Sequence, residues 1–287
     1  MPCIALAVSS FESEQDPGSW TVMQVKEISS SANPLLKTVR SLHDRSGRKK
    51  AGLFLLEGVK LLQEAVSNGL DVEDVIVSSS FLKNGMPGMP QLDREAIVVV
   101  EDTLFSQLAT TETPQGVLAT APMVKHELPD VLNAKEAFIV VADAVQDPGN
   151  LGTIMRAGLA FGATAVVLTK GTVDAFSPKV VRSAMGALFA IPVVTDVTLD
   201  QVMKELKSHQ ITSFAMDQNA TENLWSAEFP NKLALLLGNE GNGLADEDML
   251  RADRIIAIPI SKRSESLNVA IAAGIALSFI SSKRKFD

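Results

Sequence analysis

The chain is poor in the side chains that build metal centres and disulfides. Among 287 residues there is one cysteine, Cys3, and there are three histidines, His43, His126 and His209. A single cysteine excludes an intrachain disulfide and any cysteine cluster, which fits a reducing compartment. The histidines are too far apart for zinc-ligand spacing, so no metal is expected. Long apolar runs are missing too. The stretch from Val269 to Ile280 is interrupted by Gly274 and Ser278, and it falls short of the ~20 residues that cross a bilayer. The N-terminus lacks the basic start of a secretory signal and soon turns acidic at Glu12, Glu14 and Asp16. A leader without arginine also speaks against an organelle address. The expectation is a soluble, cytoplasmic protein with no membrane partner.

Positive charge is scarce as well. Lys and Arg total 26 against 34 Asp and Glu, a net charge of −8. Taken alone, that balance argues against a nucleic-acid binder. Its distribution reverses the argument locally. From Pro34 to Lys60 seven cations (Lys37, Arg40, Arg45, Arg48, Lys49, Lys50 and Lys60) face only Asp44 and Glu57, a net +5. A patch of this kind holds phosphates even on an acidic protein.

What is present is ordinary for a soluble α/β protein: 46% hydrophobic and 21% charged residues, in a chain long enough for two modest domains. Residues 1–30 read as a flexible leader and 31–122 as a small α/β unit. In that unit Asn33 and Pro34 open a helix to Asp44. A turn over 46–50, a strand over 53–56, an amphipathic helix over 59–67, strands over 74–78 and 96–100, a short helix capped by Asp102 and a strand over 117–121 follow. Residues 123–135 read as a linker. From 136 to 287, strands over 138–142, 165–168, 212–215, 233–237 and 254–257 alternate with helices over 151–161, 178–188, 199–208, 246–251 and 266–282. Such alternation predicts a parallel sheet with helices on both faces.

Three loops of the second unit each follow a strand, and ligands of open parallel sheets bind at the carboxyl ends of strands. In the first, Pro148 and Gly149 force a turn, Asn150 stands where a helix N-cap belongs, and Arg156 follows nearly two turns later on what reads as the same side. In the second, Gly238, Gly241 and Gly243 allow close backbone approach to a ligand. Their order is not the dinucleotide fingerprint, which counts against a nicotinamide-dependent oxidoreductase. Glu240 in that loop repels phosphate and suits a cationic or hydroxyl-bearing ligand. In the third, Ser266 is the N-cap candidate of a small-residue helix, behind a basic Ser261-Lys262-Arg263 turn. Each loop alone fits a plain turn or capped helix.

Taken together and in this order, the loops resemble the three motifs of the SpoU family of RNA 2′-O-ribose methyltransferases. Asn150 and Arg156 match the first motif, Gly238-Asn239-Glu240 through Gly243 the second, and Ser266-Leu267-Asn268-Val269 the third. The stretch from Ser177 to Gly186 is also similar. Asn33-Pro34, Gly47 to Lys50, Phe54 to Val59 and Thr113 to Val117 resemble the family's L30e-like substrate-binding domain. Lys262 stands where family members often carry glycine. The resemblance implies an α/β SPOUT-type parallel sheet with a C-terminal trefoil knot, a homodimer, and S-adenosylmethionine held by backbone at Gly238, Ile258 and Leu267, with Asn239 and Gly243 also in its site. It implies catalytic roles for Arg156, Asn150, Glu240, Ser266 and Asn268. RNA contacts are expected at Lys37, Arg40, Arg48, Lys49, Lys50, Lys179 and Arg182. Ribosomal RNA of the 23S type is the first expectation for substrate and transfer RNA the second; a non-catalytic RNA-binding or ribosome-assembly role is the competing class.

Overall fold

The protein is described by a computed structural model covering residues 4–5, 24–92 and 96–284. Cys3 and most of the segment read as a leader lie outside the described residues. The chain divides into two compact units, one up to Met123 together with Phe176–Pro178, the other comprising Val124–Ala175 and the residues from Lys179 onward.

The first unit contains strands β1 (Ile4–Ala5), β2 (Gln24–Glu27), β3 (Leu53–Glu57), β4 (Val75–Ser78), β5 (Ala96–Val100) and β6 (Val117–Pro122). Its helices are α1 (Pro34–Ser41), α2 (Arg45–Ala51), α3 (Val59–Ser67), α4 (Ser79–Lys83) and α5 (Asp102–Ser106). The strands form one mixed sheet in the order β1-β2-β5-β4-β6-β3. Asn33 caps α1 as expected, its side chain accepting from the Leu35 N–H at 2.9 Å. Helix α3 buries Leu61, Leu62 and Ala65 on one side, the period its sequence predicts.

Two expectations for this unit are corrected. The segment read as a leader contributes β2, which pairs in parallel with β5 through Val25 opposite Ile97. With a single apolar residue in Gln-Val-Lys-Glu, the strand exists because a partner completes its backbone hydrogen bonds, which no local pattern reveals. The turn expected over 46–50 is helix α2, ending at Gly52 in the left-handed region (φ 71°). A Cβ on Gly47 would lie 1.9 Å from the Ser41 carbonyl oxygen. Glycine is therefore inside this helix because α1 passes so close, and not because the chain turns.

The second unit contains strands β7 (Ala137–Ala142), β8 (Ala165–Thr169), β9 (Val193–Val197), β10 (Thr212–Met216), β11 (Glu222–Asn223), β12 (Lys232–Leu237) and β13 (Arg254–Ala257). Its helices are α6 (Leu128–Leu132), α7 (Pro148–Ala160), α8 (Pro178–Ala184), α9 (Ala187–Ala190), α10 (Leu199–Ser208), α11 (Asp246–Met249) and α12 (Val269–Lys283). All strand pairs are parallel, in the order β11-β13-β10-β12-β7-β8-β9. Every residue of β7 and β8 is buried, as a sheet covered on both faces requires. Ile139, Val141, Val167 and Leu236 join Val202 and Leu206 of α10 in one core cluster. Helix α6 falls within the stretch read as a linker, and it buries Leu128 and Leu132 in that same cluster. The helix expected over 178–188 breaks into α8 and α9 at Met185 and Gly186, both at positive φ.

Candidate active site

Strand β7 lies inside the sheet between β12 and β8. From it the chain runs outward through β8 and β9, then returns to the far side as β10, β12 and β13. The connections leaving the neighbours β7 and β12 therefore diverge, and the crevice outside such a switch point is where open α/β sheets bind ligands.

The loop after β7 leads into α7. Asp147, and not Asn150, is the N-cap: its side chain accepts from the Asn150 N–H at 2.8 Å, with Pro148 as the first helical residue. An Asp before Pro-Gly is a strong cap, and it leaves the Asn150 side chain free for other partners. That amide donates to Glu240 at 3.1 Å and accepts from the Asn268 amide at 2.9 Å. Glu240 also accepts from the backbone N–H groups of Gln146 at 3.1 Å and Asp147 at 2.9 Å. One carboxylate and two amides thus tie together the loops that follow β7, β12 and β13. Partial burial pushes the Glu240 carboxyl up, but the donors at Asp147, Asn150 and Gln146 outweigh it and hold the group below the ordinary glutamate range.

The glycine loop folds back on itself. The backbones of Asn239 and Gly243 exchange hydrogen bonds of 3.0 and 2.9 Å. A Cβ on Gly238 would lie 2.2 Å from the Gly243 carbonyl carbon, a contact only glycine allows. The Asn239 amide donates to the Ala144 carbonyl at 2.9 Å and accepts from the Gly241 N–H at 2.8 Å. At the third loop the cap of α12 is Asn268, accepting from Ala270 N–H at 2.9 Å and Ile271 N–H at 3.2 Å. Ser266, the cap expected from sequence, lies two residues before it.

A cavity of about 650 Å³ opens beside these loops. Gly238, Asn239, Gly243, Ile258 and Leu267, expected to hold a cofactor, all line it, as do Glu240 and Ser266. Its lining includes Asp217, Glu240, Asp246 and Glu265 and no Lys or Arg. Such a wall attracts a cation and opposes a polyphosphate. Leu237, Leu244 and Ile260 supply apolar surface for a flat ring. The sequence does not mark Asp217, Asp246 and Glu265, because nothing local distinguishes a carboxylate that the fold turns towards a cavity.

Other expected residues are dispersed. Arg156 is exposed on α7. At about 100° per residue it stands about 120° around the helix from Asn150, not on the same side. Lys179 is exposed and Arg182 half-buried on α8. In the first unit Lys37, Lys49 and Lys50 are exposed, while Arg40 is half-buried with its guanidinium donating to the Ser31 carbonyl at 2.9 Å. Arg48 is only 3% exposed and donates to the carbonyls of Leu42 at 2.6 Å and His43 at 2.9 Å. It ties the turn between α1 and α2, so its expected role as an RNA contact is withdrawn. Among the described residues no group of three or more His, Cys, Asp or Glu side chains is placed to hold a metal ion.

Known proteins resemble this chain in sequence and fold. Residues 137–278 match the SpoU rRNA Methylase family, and residues 33–119 match the MRM3-like substrate binding domain. The chain is 35% identical over 251 residues to the 23S rRNA (guanosine(2553)-2′-O)-methyltransferase RlmP of Bacillus subtilis, covering 88% of this chain and 97% of that protein. It is similar to the AdoMet-bound rRNA methyltransferase from Sinorhizobium meliloti, with TM-score 0.78, 30% identity, and 89% and 97% of the two chains covered. The SpoU methyltransferase AviRb from Streptomyces viridochromogenes, in complex with AdoMet, gives TM-score 0.77 at 26% identity over 88% and 98%. With its glycine loop, its Asn150–Glu240–Asn268 link and this extent of similarity, the chain belongs to the SpoU methyltransferase family.

Proposed function

We propose that the protein transfers the methyl group of S-adenosylmethionine to a ribose 2′-hydroxyl of 23S-type ribosomal RNA. The observation that carries this reading is the hydrogen-bonded joining of three loops by Glu240, Asn150 and Asn268 beside an acidic, partly apolar cavity. The cofactor carries a sulfonium cation and a neutral adenine, so the charge and apolar surface of the lining fit it. It supplies an electrophilic methyl group. Gly238, Asn239, Gly243, Ile258 and Leu267 hold it, largely through backbone, and Ser266 shapes the wall.

The ribose hydroxyl is a poor nucleophile until its proton leaves to solvent water, and displacement requires in-line attack, so positioning supplies much of the rate. A guanidinium stays protonated. Arg156 therefore serves as a donor that stabilises the developing alkoxide and grips a phosphate. Asn150 and Asn268 orient the substrate side of the site, and Glu240 fixes the loop that carries Asn150. Lys37, Arg40, Lys49, Lys50, Lys179 and Arg182 contact RNA phosphates. Residues 31–122 act as the RNA-binding domain and 136–287 as the catalytic domain. The protein works in the cytoplasm as a homodimer whose C-terminal loops form a trefoil knot. Ile271 on α12 and Leu159 on α7, apolar side chains that are 56% and 40% exposed, support a subunit contact there.

The test is a methylation assay with tritiated S-adenosylmethionine and unmodified ribosomal and transfer RNA pools. Label in alkali-resistant dinucleotides of ribosomal RNA is the expected result. Arg156→Ala is expected to lower kcat by about a hundredfold or more with cofactor affinity unchanged. Label in alkali-labile nucleotides would move the target to a base, and label in transfer RNA alone would replace the substrate class.

A further inference from the structure

Thr169 lies at the end of β8, two strands from the glycine loop, and is 3% exposed. It does not line the cavity. Its hydroxyl donates to the Asp143 carboxylate at 2.6 Å and accepts from the Ala144 N–H at 3.2 Å. Ala144 sits at φ 50°, a left-handed conformation that a residue with a Cβ seldom adopts without support. In that conformation its carbonyl meets the Asn239 amide at 2.9 Å.

The link has one direction. The Ala144 carbonyl only accepts, so Asn239 turns its NH2 group towards it. The Asn239 oxygen is thereby aimed at the Gly241 N–H, which donates to it at 2.8 Å, and at the Asn242 N–H at 3.3 Å. The Asp143 carboxylate likewise accepts the one hydrogen bond that the Thr169 hydroxyl can donate. The hydroxyl lone pairs are then left for the Ala144 N–H.

We propose that Thr169 and Asp143 are positioning residues that set the shape of the glycine loop, and through it cofactor affinity, by way of Ala144 and Asn239. This inference rests on the methyl-transfer reading for the identity of the ligand. For the loop itself it rests on the hydrogen-bond chain alone.

Two measurements on the full chain test it: calorimetric titration with S-adenosylmethionine, and residue-resolved backbone amide exchange without ligand. In Thr169→Val the hydroxyl is lost at nearly constant volume. The dissociation constant is expected to rise about fivefold, and exchange at Gly241 to accelerate by a similar factor. Exchange at Leu206 of α10 should stay at the wild-type rate, and Thr169→Ser should restore both values. If Thr169→Val fails to fold, Thr169→Ala removes the same hydroxyl without adding a methyl group at that site. Wild-type affinity together with wild-type exchange at Gly241 in the folded variant overturns the proposal. A wild-type protein that binds no S-adenosylmethionine overturns the methyl-transfer reading instead. The Gly241 exchange rates then still decide whether Thr169 positions the loop.

Discussion

Glu240 holds three donors from a loop 90 to 94 residues away in the chain. Replacing it with alanine leaves the Gln146 and Asp147 N–H groups and the Asn150 amide without that acceptor. Glu240→Ala is expected to lower kcat/KM by about tenfold or more, measured with saturating RNA; unchanged kinetics would remove Glu240 from the site. Its depressed pKa gives the pH dependence a sign. The carboxylate's contribution is fully present above the unfolded value near 4.5 and is lost as pH falls through the lower folded value. Asp143 behaves in the opposite way. Burial raises its carboxyl, the Thr169 hydroxyl lowers it, and Asp248 raises it further, for a net rise above 3.8. The folded protein therefore binds that proton more tightly than the unfolded chain, and stability falls as pH rises through the window above 3.8. Asp143→Asn keeps an oxygen to accept from Thr169 and removes this dependence. Thermal unfolding across a pH series should show wild type losing ground to the variant as pH rises through that window, and parallel curves would contradict the argument.

At the scale of elements, the glycine loop is the most constrained piece of the site. Gly238→Ala drives a methyl group into the Gly243 backbone. Because the obstacle is main chain and not a flexible side chain, the loop must open. Cofactor binding is expected to be lost while the far-ultraviolet circular dichroism of the sheet is retained; retained affinity would mean that the loop has a second closed form. The elements also show where local patterns are sufficient. Helix α10 matches its expected span because a Thr198–Gln201 capping box opens it and its apolar spacing carries it. The sequence of helix α2 reads as a turn because Ser-Gly is a local turn signal. Its glycine answers to α1 packed against it, and its arginine to two carbonyls left by the end of α1.

For the molecule as a whole, the net charge of −8 and the basic stretch beginning at Pro34 make opposite demands. Lys49 and Lys50 are exposed and Arg48 is buried, so the three adjacent cations separate by experiment. The double variant Lys49→Ala/Lys50→Ala is expected to reduce the slope of log affinity against log salt by about 1.5 in a filter-binding series, with stability unchanged. Arg48→Ala is expected to leave that slope alone and to lower the free energy of urea unfolding by about 1–3 kcal/mol, since two carbonyls lose their donor. A salt slope altered by Arg48→Ala as much as by the lysine pair would return Arg48 to the RNA surface.

The α/β class, the parallel sheet of the second unit and most strand spans were legible in the sequence, because burial on both faces writes continuous aliphatic runs such as Leu233 to Leu237. The three loops that build the site were legible for a related reason: glycine, proline and amide caps are required by backbone geometry at those points. Tertiary structure alone decided which side chains do the joining. Asp147 rather than Asn150 caps α7 and Asn268 rather than Ser266 caps α12, which leaves Asn150 to bridge Glu240 and Asn268. Strand β2 and the acidic lining from Asp217, Asp246 and Glu265 were likewise set by partners distant in sequence. A hydrogen bond or a field at a cavity depends on distances across the fold, and one-dimensional spacing does not carry those distances.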